Sequence, residues 1–226
     1  MSAARLARMR GVLDRRQPDL TVVMAGVHKE HNVSAVLRTC DAVGVAEAHA
    51  MGAEERLAVK QTAAAGVGRR VPIRQQASVR DGCAALRGRG FQLLGAHLAP
   101  SARDFRDMDY CRPTAILLGN EKEGLEPDAQ AACDAFIEIP MVGLAASLNV
   151  SVAAAVILYE AQRQRQRAGL YDTRRLGDET YRRTLFEWLQ PRLASYCQTR
   201  GLPYPELDEE GHVVRLAGRP HAPDRR

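Results

Sequence analysis

The chain has 226 residues, of which 46% are hydrophobic and 26% are charged, a composition typical of a globular protein with a substantial core. No apolar run approaches the ~20 residues of a membrane span and the basic N-terminus lacks the hydrophobic region of a secretory signal, so we expect an intracellular, cytoplasmic protein. The five cysteines are scattered without CxxC spacing, which predicts free thiols in a reducing compartment rather than metal or redox sites.

Charge is distributed in blocks, although the net charge is only +5. Residues 1–16 carry +4 (five basic against one acidic), residues 60–90 carry +6 (seven against one), residues 91–160 carry −6 (four against ten) and residues 161–200 carry +5 (nine against four). Only three of the 32 basic residues are lysines, and arginine suits bidentate recognition of phosphate. The blocks indicate a polyanion-binding surface, and a general arginine bias on solvated faces is an equally open alternative.

Apolar periodicity and turn residues predict a series of elements in chain order. We expect a helix over 3–16, a strand over 21–27, a helix over 33–43, a strand over 45–51, a loop over 66–70, a strand over 71–74, a helix over 79–87 and strands over 91–97 and 114–119. A helix over 127–133, a strand over 136–139, a long helix over 147–168, a helix over 179–197 and an irregular tail from residue 201 follow.

Strands that alternate with helices predict an α/β fold with a parallel sheet. We expect this domain over residues 19–168, between a basic N-terminal helix (1–18) and a C-terminal helical extension with its tail (169–226). The long helix has an apolar first half and a basic second half, so one end should be buried and the other exposed.

Three segments place polar residues at strand ends and indicate a functional site. Residues 115–125 (AILLGNEKEGL) form a strand that ends in a polar loop, and ligands of parallel sheets bind at the carboxyl ends of strands. Residues 139–150 (IPMVGLAASLNV) run from a strand end into the long helix, and residues 32–44 (NVSAVLRTCDAVG) form a helix with a single arginine, Arg38. No Gly-x-Gly-x-x-Gly follows a strand and no Walker A loop occurs, which excludes those two nucleotide fingerprints.

Several polar residues of these segments have both a structural and a functional interpretation. Arg38 lies among apolar helix positions, and a charge there needs a role or a partner such as Asp41 or Glu121. Asn32 and Ser147 can each cap the helix that follows them. The histidines have no metal-like spacing with cysteines or carboxylates, so we expect no metal site.

The three segments resemble the three motifs of the SpoU (TrmH) family of SPOUT RNA methyltransferases. The resemblance covers nearly the whole chain, including RRQPDL at residues 15–20 and GLPYP at residues 201–205. It implies a parallel-sheet SPOUT fold with a C-terminal trefoil knot, here over residues 114–160, flanked by N- and C-terminal helices. It also implies S-adenosyl-L-methionine bound in the knot, and a homodimer with a composite active site.

The resemblance assigns roles to individual residues. The implied catalytic set is Arg38, Asn32, Glu121, Ser147 and Asn149. In that set Arg38 is central, Asn32 lies beside it, and Glu121 orients Arg38 or Asn149, whereas Glu123 is expected to face solvent. The implied cofactor-binding residues act mostly through backbone atoms and are Ala96, His97, Leu118, Gly119, Ile139, Met141, Leu144 and Leu148.

The activity implied by the resemblance is 2′-O-methylation of the guanosine at position 18 in the D-loop of tRNA, with residues 3–16 and 179–197 gripping the tRNA. Two alternatives remain open at this point. A ribosomal RNA target is disfavoured because the chain shows no separate N-terminal RNA-binding domain. A non-catalytic RNA-binding module is disfavoured because the full catalytic set is present.

Overall fold

The computed structural model describes residues 2–52, 70–120 and 123–214. The chain divides into two compact units: a sheet unit (Arg15–Arg175) and a helical unit in which Met1–Asp14 joins Leu176–Arg226. The two chain ends, which the sequence analysis treated as separate parts, therefore belong to one unit. The predicted loop over 66–70 lies outside the described residues except for Arg70.

The described part of the sheet unit contains one sheet of seven strands. In chain order the strands are β1 (Leu20–Ala25), β2 (Ala48–Met51), β3 (Ile73–Gln76), β4 (Gln92–Ala96), β5 (Arg103–Asp104), β6 (Thr114–Leu118) and β7 (Ala135–Glu138). Their spatial order is β3-β2-β1-β6-β4-β7-β5, and all pairs are parallel. The predicted parallel α/β sheet is confirmed. The edge strand β5 and a 3-10 helix at Phe105–Asp107 were not predicted, because such short elements have no readable period.

Helices cover both faces of this sheet. Helices α2 (Glu30–Ala42) and α5 (Val150–Arg167) pack on one face, and α3 (Val79–Gly88) and α4 (Pro127–Ala132) contribute to the core on the other. Strand β1 explains the layering, since all six of its residues are buried and its side chains alternate between the two cores. A continuous apolar strand is expected wherever a parallel sheet is buried on both sides.

The start of α2 corrects one prediction. Its N-cap is Lys29, without a side-chain capping bond, so the expected capping role of Asn32 is wrong. Asn32 instead lies buried within the first turn, at 2% exposure. The helix ends at Ala42 with Val43 as its C-cap, and Gly44 follows with a φ of +83°, which is accessible to glycine at little cost.

The long helix α5 differs from its prediction at both ends. Its N-cap is Asn149, whose side chain accepts a bond from the backbone N of Ser151 at 2.9 Å, so the cap expected at Ser147 is wrong. Its basic half was expected to be exposed, yet Arg165 is fully buried and donates to Asp19 Oδ1 at 2.7 Å and to the carbonyl of Tyr110 at 2.8 Å. The sequence pattern could not show that acceptors from distant loops converge there.

The helical unit contains α1 (Ala3–Asp14), α6 (Asp178–Leu189) and α7 (Pro191–Thr199). The single helix predicted over 179–197 is wrong, because Pro191 has no N–H to donate and disfavours a helical Gln190 before it. The start of the segment predicted as an irregular tail also packs in this unit: Tyr204 stacks on Phe186 with ring centroids 4.6 Å apart. Within the described residues, the helices are all too short or too polar to traverse a lipid bilayer.

Candidate functional site at the strand ends

A pocket of about 290 Å³ opens at the carboxyl ends of β4, β6 and β7. The residues after these strands and the first turns of α5 form its wall. The lining residues are Ala96, His97, Leu98, Leu118, Gly119, Asn120, Glu123, Gly124, Ile137, Glu138, Ile139, Met141, Ala146, Ser147, Leu148, Val150, Ala153 and Ile157. Two of the three sequence motifs therefore meet in one cavity, at the edge of a parallel sheet where ligands bind.

Glycine is required at both ends of the GNEKEG loop, for a different structural reason at each end. The chain folds back on itself, because Asn120 and Gly124 exchange backbone hydrogen bonds of 2.8 and 2.9 Å. A Cβ on Gly119 would overlap the carbonyl group of Gly124, and Gly124 itself has a φ of +70°. Larger residues at either position would therefore push the loop away from the strand end and change the pocket wall.

The pocket wall is largely apolar, with ionisable groups at a few places. Among the described lining residues these groups are His97, Glu123 and Glu138, and no arginine or lysine is present. The His97 ring packs on Phe136 at a centroid distance of 5.5 Å. Glu123 is exposed, as expected from the sequence, yet it also lines the cavity. Such a wall suits a ligand that has an uncharged ring system, which the apolar residues contact, and a positive charge, which the carboxylates attract.

Seven of the eight residues predicted to bind a cofactor line this pocket, and Leu144 does not. Leu144 is fully exposed in the loop before α5. The sequence analysis missed Asn120 and Glu138 as lining residues. Their position in the sequence could have indicated them, since each lies at a strand end next to a residue that was predicted to bind the cofactor.

The catalytic candidates Asn32 and Asn149 are in direct contact. Asn149 Nδ2 donates to Asn32 Oδ1 at 3.2 Å, which joins the first turn of α2 to the N-terminus of α5. Ser151 Oγ donates to Asn149 Oδ1 at 2.7 Å, and the exposed Ser147 lies on the pocket wall. Two helix N-termini, each with a partial positive charge, therefore meet beside the pocket.

Arg38 lies apart from these residues. It is exposed on α2 and is not among the described residues that line the pocket. Six residues separate it from Asn32, which turns the two side chains about 120° apart around the helix. Asp41, its expected alternative partner, instead pairs with Arg16 at 2.5 Å and Arg70 at 3.3 Å. No hydrogen bond or ion pair joins Arg38 to another residue within 2–52, 70–120 or 123–214.

Glu121 lies outside the described residues, so its predicted role stays a prediction. The described histidines, cysteines and carboxylates include no cluster that could hold a metal ion. All five cysteines are free, and burial raises the pKa of Cys40 and Cys133 to about 12. Thiols with such pKa values are protonated at neutral pH and are poor nucleophiles.

Comparison with known proteins gives consistent matches. A family model described as the SpoU rRNA Methylase family matches residues 19–159, and a model described as SpoU, rRNA methylase, C-terminal matches residues 163–216. The chain is 49% identical over 215 residues to a tRNA (guanosine(18)-2′-O)-methyltransferase of Escherichia coli, with 94% of each chain covered.

Two solved structures are also similar. The crystal structure of the A. aeolicus TrmH/SpoU tRNA modifying enzyme aligns with a TM-score of 0.77 at 40% identity, covering 82% of this chain and 94% of that one. The AdoMet-bound rRNA methyltransferase from Sinorhizobium meliloti aligns with a TM-score of 0.59 at 29% identity, covering 69% of this chain and 59% of that one.

Proposed function

The chain belongs to the SpoU methylase family, and from this premise we propose that it is a tRNA (guanosine(18)-2′-O)-methyltransferase that uses S-adenosyl-L-methionine. The observation that carries this proposal is the pocket at the strand ends, whose wall comes from the same motifs that define the family. A tRNA substrate also favours the cytoplasm as the place of action.

The pocket fits the cofactor chemically. Bound S-adenosyl-L-methionine supplies a methyl group on a positively charged sulfur. The apolar side chains of Leu118, Ile139 and Leu148 suit the adenine, and the lining carboxylates of Glu123 and Glu138 suit the positive charge. Backbone atoms of the predicted cofactor residues that line the pocket hold the nucleoside, and the predicted role of Leu144, which is exposed in the loop before α5, stays a prediction.

Arg38 acts on the RNA side of the reaction. An exposed guanidinium without a partner among the described residues is available for a phosphate, and arginine binds phosphate through two parallel bonds. Because a guanidinium has five N–H donors and no acceptor, Arg38 orients the ribose-phosphate and polarises the 2′ hydroxyl by donating hydrogen bonds. The exposed side chains of Asn149 and Ser147 hold the acceptor ribose near the pocket, and the buried Asn32 acts through its bond to Asn149. Glu121 orients Arg38 or Asn149.

The active site is composite and the protein is a homodimer. Arg38 is exposed, is turned about 120° around α2 from Asn32 and is not among the described residues that line the pocket, which supports a site completed by the Arg38 of a second chain. The surface near the pocket also carries exposed apolar side chains: Val142, Leu144, Val152 and Tyr159. Val152 and Tyr159 are seven residues apart on one face of α5, where a partner could cover them.

Mixing two inactive variants tests the composite site. Arg38→Ala and Asn149→Ala chains, unfolded together and refolded as an equal mixture, should regain about a quarter of wild-type activity. Half of the dimers are then heterodimers, and each of them has one intact site out of two, so a quarter of all sites are intact. Activity in such sites depends on association of the two chains. No regain would mean that one chain builds each site, and fully active monomers in light scattering would remove the dimer from the proposal.

The C-terminal part of the sheet unit forms a trefoil knot over residues 114–160. Family membership supports it, as does the strand order, in which β6 lies between β1 and β4 while β7 lies on the far side of β4. Tracing the chain through residues 114–160 in a crystal structure would test the knot directly.

The activity itself is tested with unmodified tRNA and radiolabelled S-adenosyl-L-methionine. We expect label on the 2′ oxygen of guanosine 18, mapped by resistance of that linkage to alkali. A tRNA with 2′-deoxyguanosine at that position is the matched control, because it keeps the base but lacks the acceptor hydroxyl. Equal labelling of both tRNAs would exclude ribose 2′-O-methylation at this site, and labelling of ribosomal RNA alone would favour the rRNA alternative.

A further inference from the structure

The C-terminal end of α2, the helix that carries Arg38, is held by the segment through which the chain enters the sheet unit. Arg16 is buried and donates to Asp41 Oδ1 at 2.5 Å and to the carbonyl of Val45 at 2.7 Å. The backbone N of Gln17 donates to the carbonyl of Gly44 at 2.7 Å. These bonds join the entering segment to the last turn of α2, through the Asp41 carboxylate, and to the turn that follows it, through the carbonyl groups of Gly44 and Val45.

The segment through which the chain leaves the sheet unit binds the same helix end. Tyr171 Oη donates to the carbonyl of Val43 at 2.7 Å. Gln17 Nε2 donates to the carbonyl of Leu170 at 3.0 Å, so the entering and leaving segments are also joined to each other. Gly44 lies between them, since a Cβ there would lie 2.9 Å from the Arg15 carbonyl oxygen and 3.3 Å from Tyr171 Cε1.

Both covalent connections between the sheet unit and the helical unit are therefore fastened to one end of one helix. Asp41, the acceptor for Arg16, follows Arg38 by three residues, or about 4.5 Å along the axis of α2. A shift of this helix end moves Arg38 with it, because a hydrogen-bonded helix transmits displacement along its axis. Reaction rates are sensitive to displacements of about 1 Å in groups that orient the reactants.

We propose that Arg16 and Tyr171 are positioning residues that set the placement of Arg38 by clamping the C-terminal end of α2 from the two connecting segments. This inference rests on the proposed function, in which Arg38 orients the acceptor ribose. Loosening the clamp lowers the turnover number while leaving cofactor binding and the bulk of the fold in place.

Tyr171→Phe tests the clamp with one hydroxyl removed. Tyr110→Phe is the matched control, because Tyr110 Oη also donates to a backbone carbonyl at 2.8 Å, but to that of Phe105 and not to one at the end of α2. We expect kcat of Tyr171→Phe to fall by about tenfold, with KM for tRNA and the Kd for S-adenosyl-L-methionine within about twofold of wild type. Tyr110→Phe should keep the wild-type kcat, although its thermal midpoint should fall at least as much as that of Tyr171→Phe.

Asp41→Asn tests the entering segment, since the amide keeps the shape of the side chain but loses the charge that pairs with the buried Arg16 and with the more exposed Arg70. It should show the same kcat-specific loss. If the wild-type protein methylates tRNA but Tyr171→Phe and Tyr110→Phe have equal kcat values, this inference alone is overturned. An unchanged kcat in Asp41→Asn would overturn it as well. Wild-type protein that transfers no methyl group to tRNA would overturn the proposed function and this inference together.

Discussion

Two sets of arginines, equally basic in sequence, differ in the structure. The edge arginines follow β2 in the chain and extend to the end of α3, and each has a carboxylate within 4 Å; they are Arg70, Arg74, Arg80, Arg87 and Arg89. The helical-unit arginines are exposed and make no side-chain hydrogen bond or ion pair with any described residue; they are Arg5, Arg8, Arg182, Arg183 and Arg192.

The difference shows that a block of positive charge in a sequence does not identify an RNA-binding surface. The described part of the 60–90 block finds acidic partners elsewhere in the fold, among them Asp41, Glu47 and Asp134. An arginine paired with a carboxylate attracts a polyanion only weakly because the two charges cancel, whereas an unpaired arginine keeps its attraction. We therefore expect the helical-unit arginines, and Arg38 in the sheet unit, to contact tRNA, and the edge arginines to stabilise the fold.

Among substitutions that test this division between RNA-contacting and fold-stabilising arginines, replacing Arg38 should have the largest effect. Arg38→Ala should lower kcat/KM more than about 100-fold, because the lost interaction acts on the reacting ribose. Binding of S-adenosyl-L-methionine should stay within about twofold, measured by calorimetry, since Arg38 is not on the described pocket wall. A variant that keeps more than about a tenth of kcat/KM has lost less than about 1.4 kcal/mol, and the role would then be wrong.

A smaller effect should separate the two sets of arginines directly. The triple variant Arg182→Ala, Arg183→Ala and Arg192→Ala should weaken tRNA binding about tenfold or more at low salt and flatten the dependence of the Kd on salt. The matched control replaces the edge arginines Arg80, Arg87 and Arg89 and removes the same charge. We expect its Kd for tRNA to change less than about threefold. Equal losses in filter binding would show that net charge, and not pairing, decides tRNA affinity.

The sequence predicted what depends on local pattern and missed what depends on distant partners. The parallel sheet and most helices were predicted because periodicity and turn residues are local signals, and the strand-end position of the pocket follows from the sheet. The bond between Asn32 and Asn149 joins residues 117 positions apart, and no local rule indicates it. The same holds for the burial of Arg165 and for the carboxylate partners of the edge arginines.

The smallest expected effect is a change in acid stability at the edge of the sheet. Glu47 binds Arg74 at 2.6 Å and Arg89 at 3.2 Å. Burial raises the pKa of Glu47, but the hydrogen bond and charge of Arg74, together with the charge of His49 and the hydrogen bond of Arg89, leave the pKa below its ordinary value. Because the folded state holds this carboxylate ionised, the pair adds stability above the ordinary glutamate pKa and loses it as the pH falls through the lowered one.

Arg74→Ala should therefore be less stable than wild type at pH 7 by about 0.5 kcal/mol, since the Arg74 side chain is largely exposed and solvent weakens the pair. The difference should shrink as the pH falls through the range in which Glu47 becomes protonated, and the Kd for tRNA should stay unchanged. Urea unfolding at several pH values measures the first effect and filter binding measures the second. A stability difference that does not depend on pH would assign the loss to packing of the arginine stem, and weaker tRNA binding would move Arg74 into the RNA-contacting set.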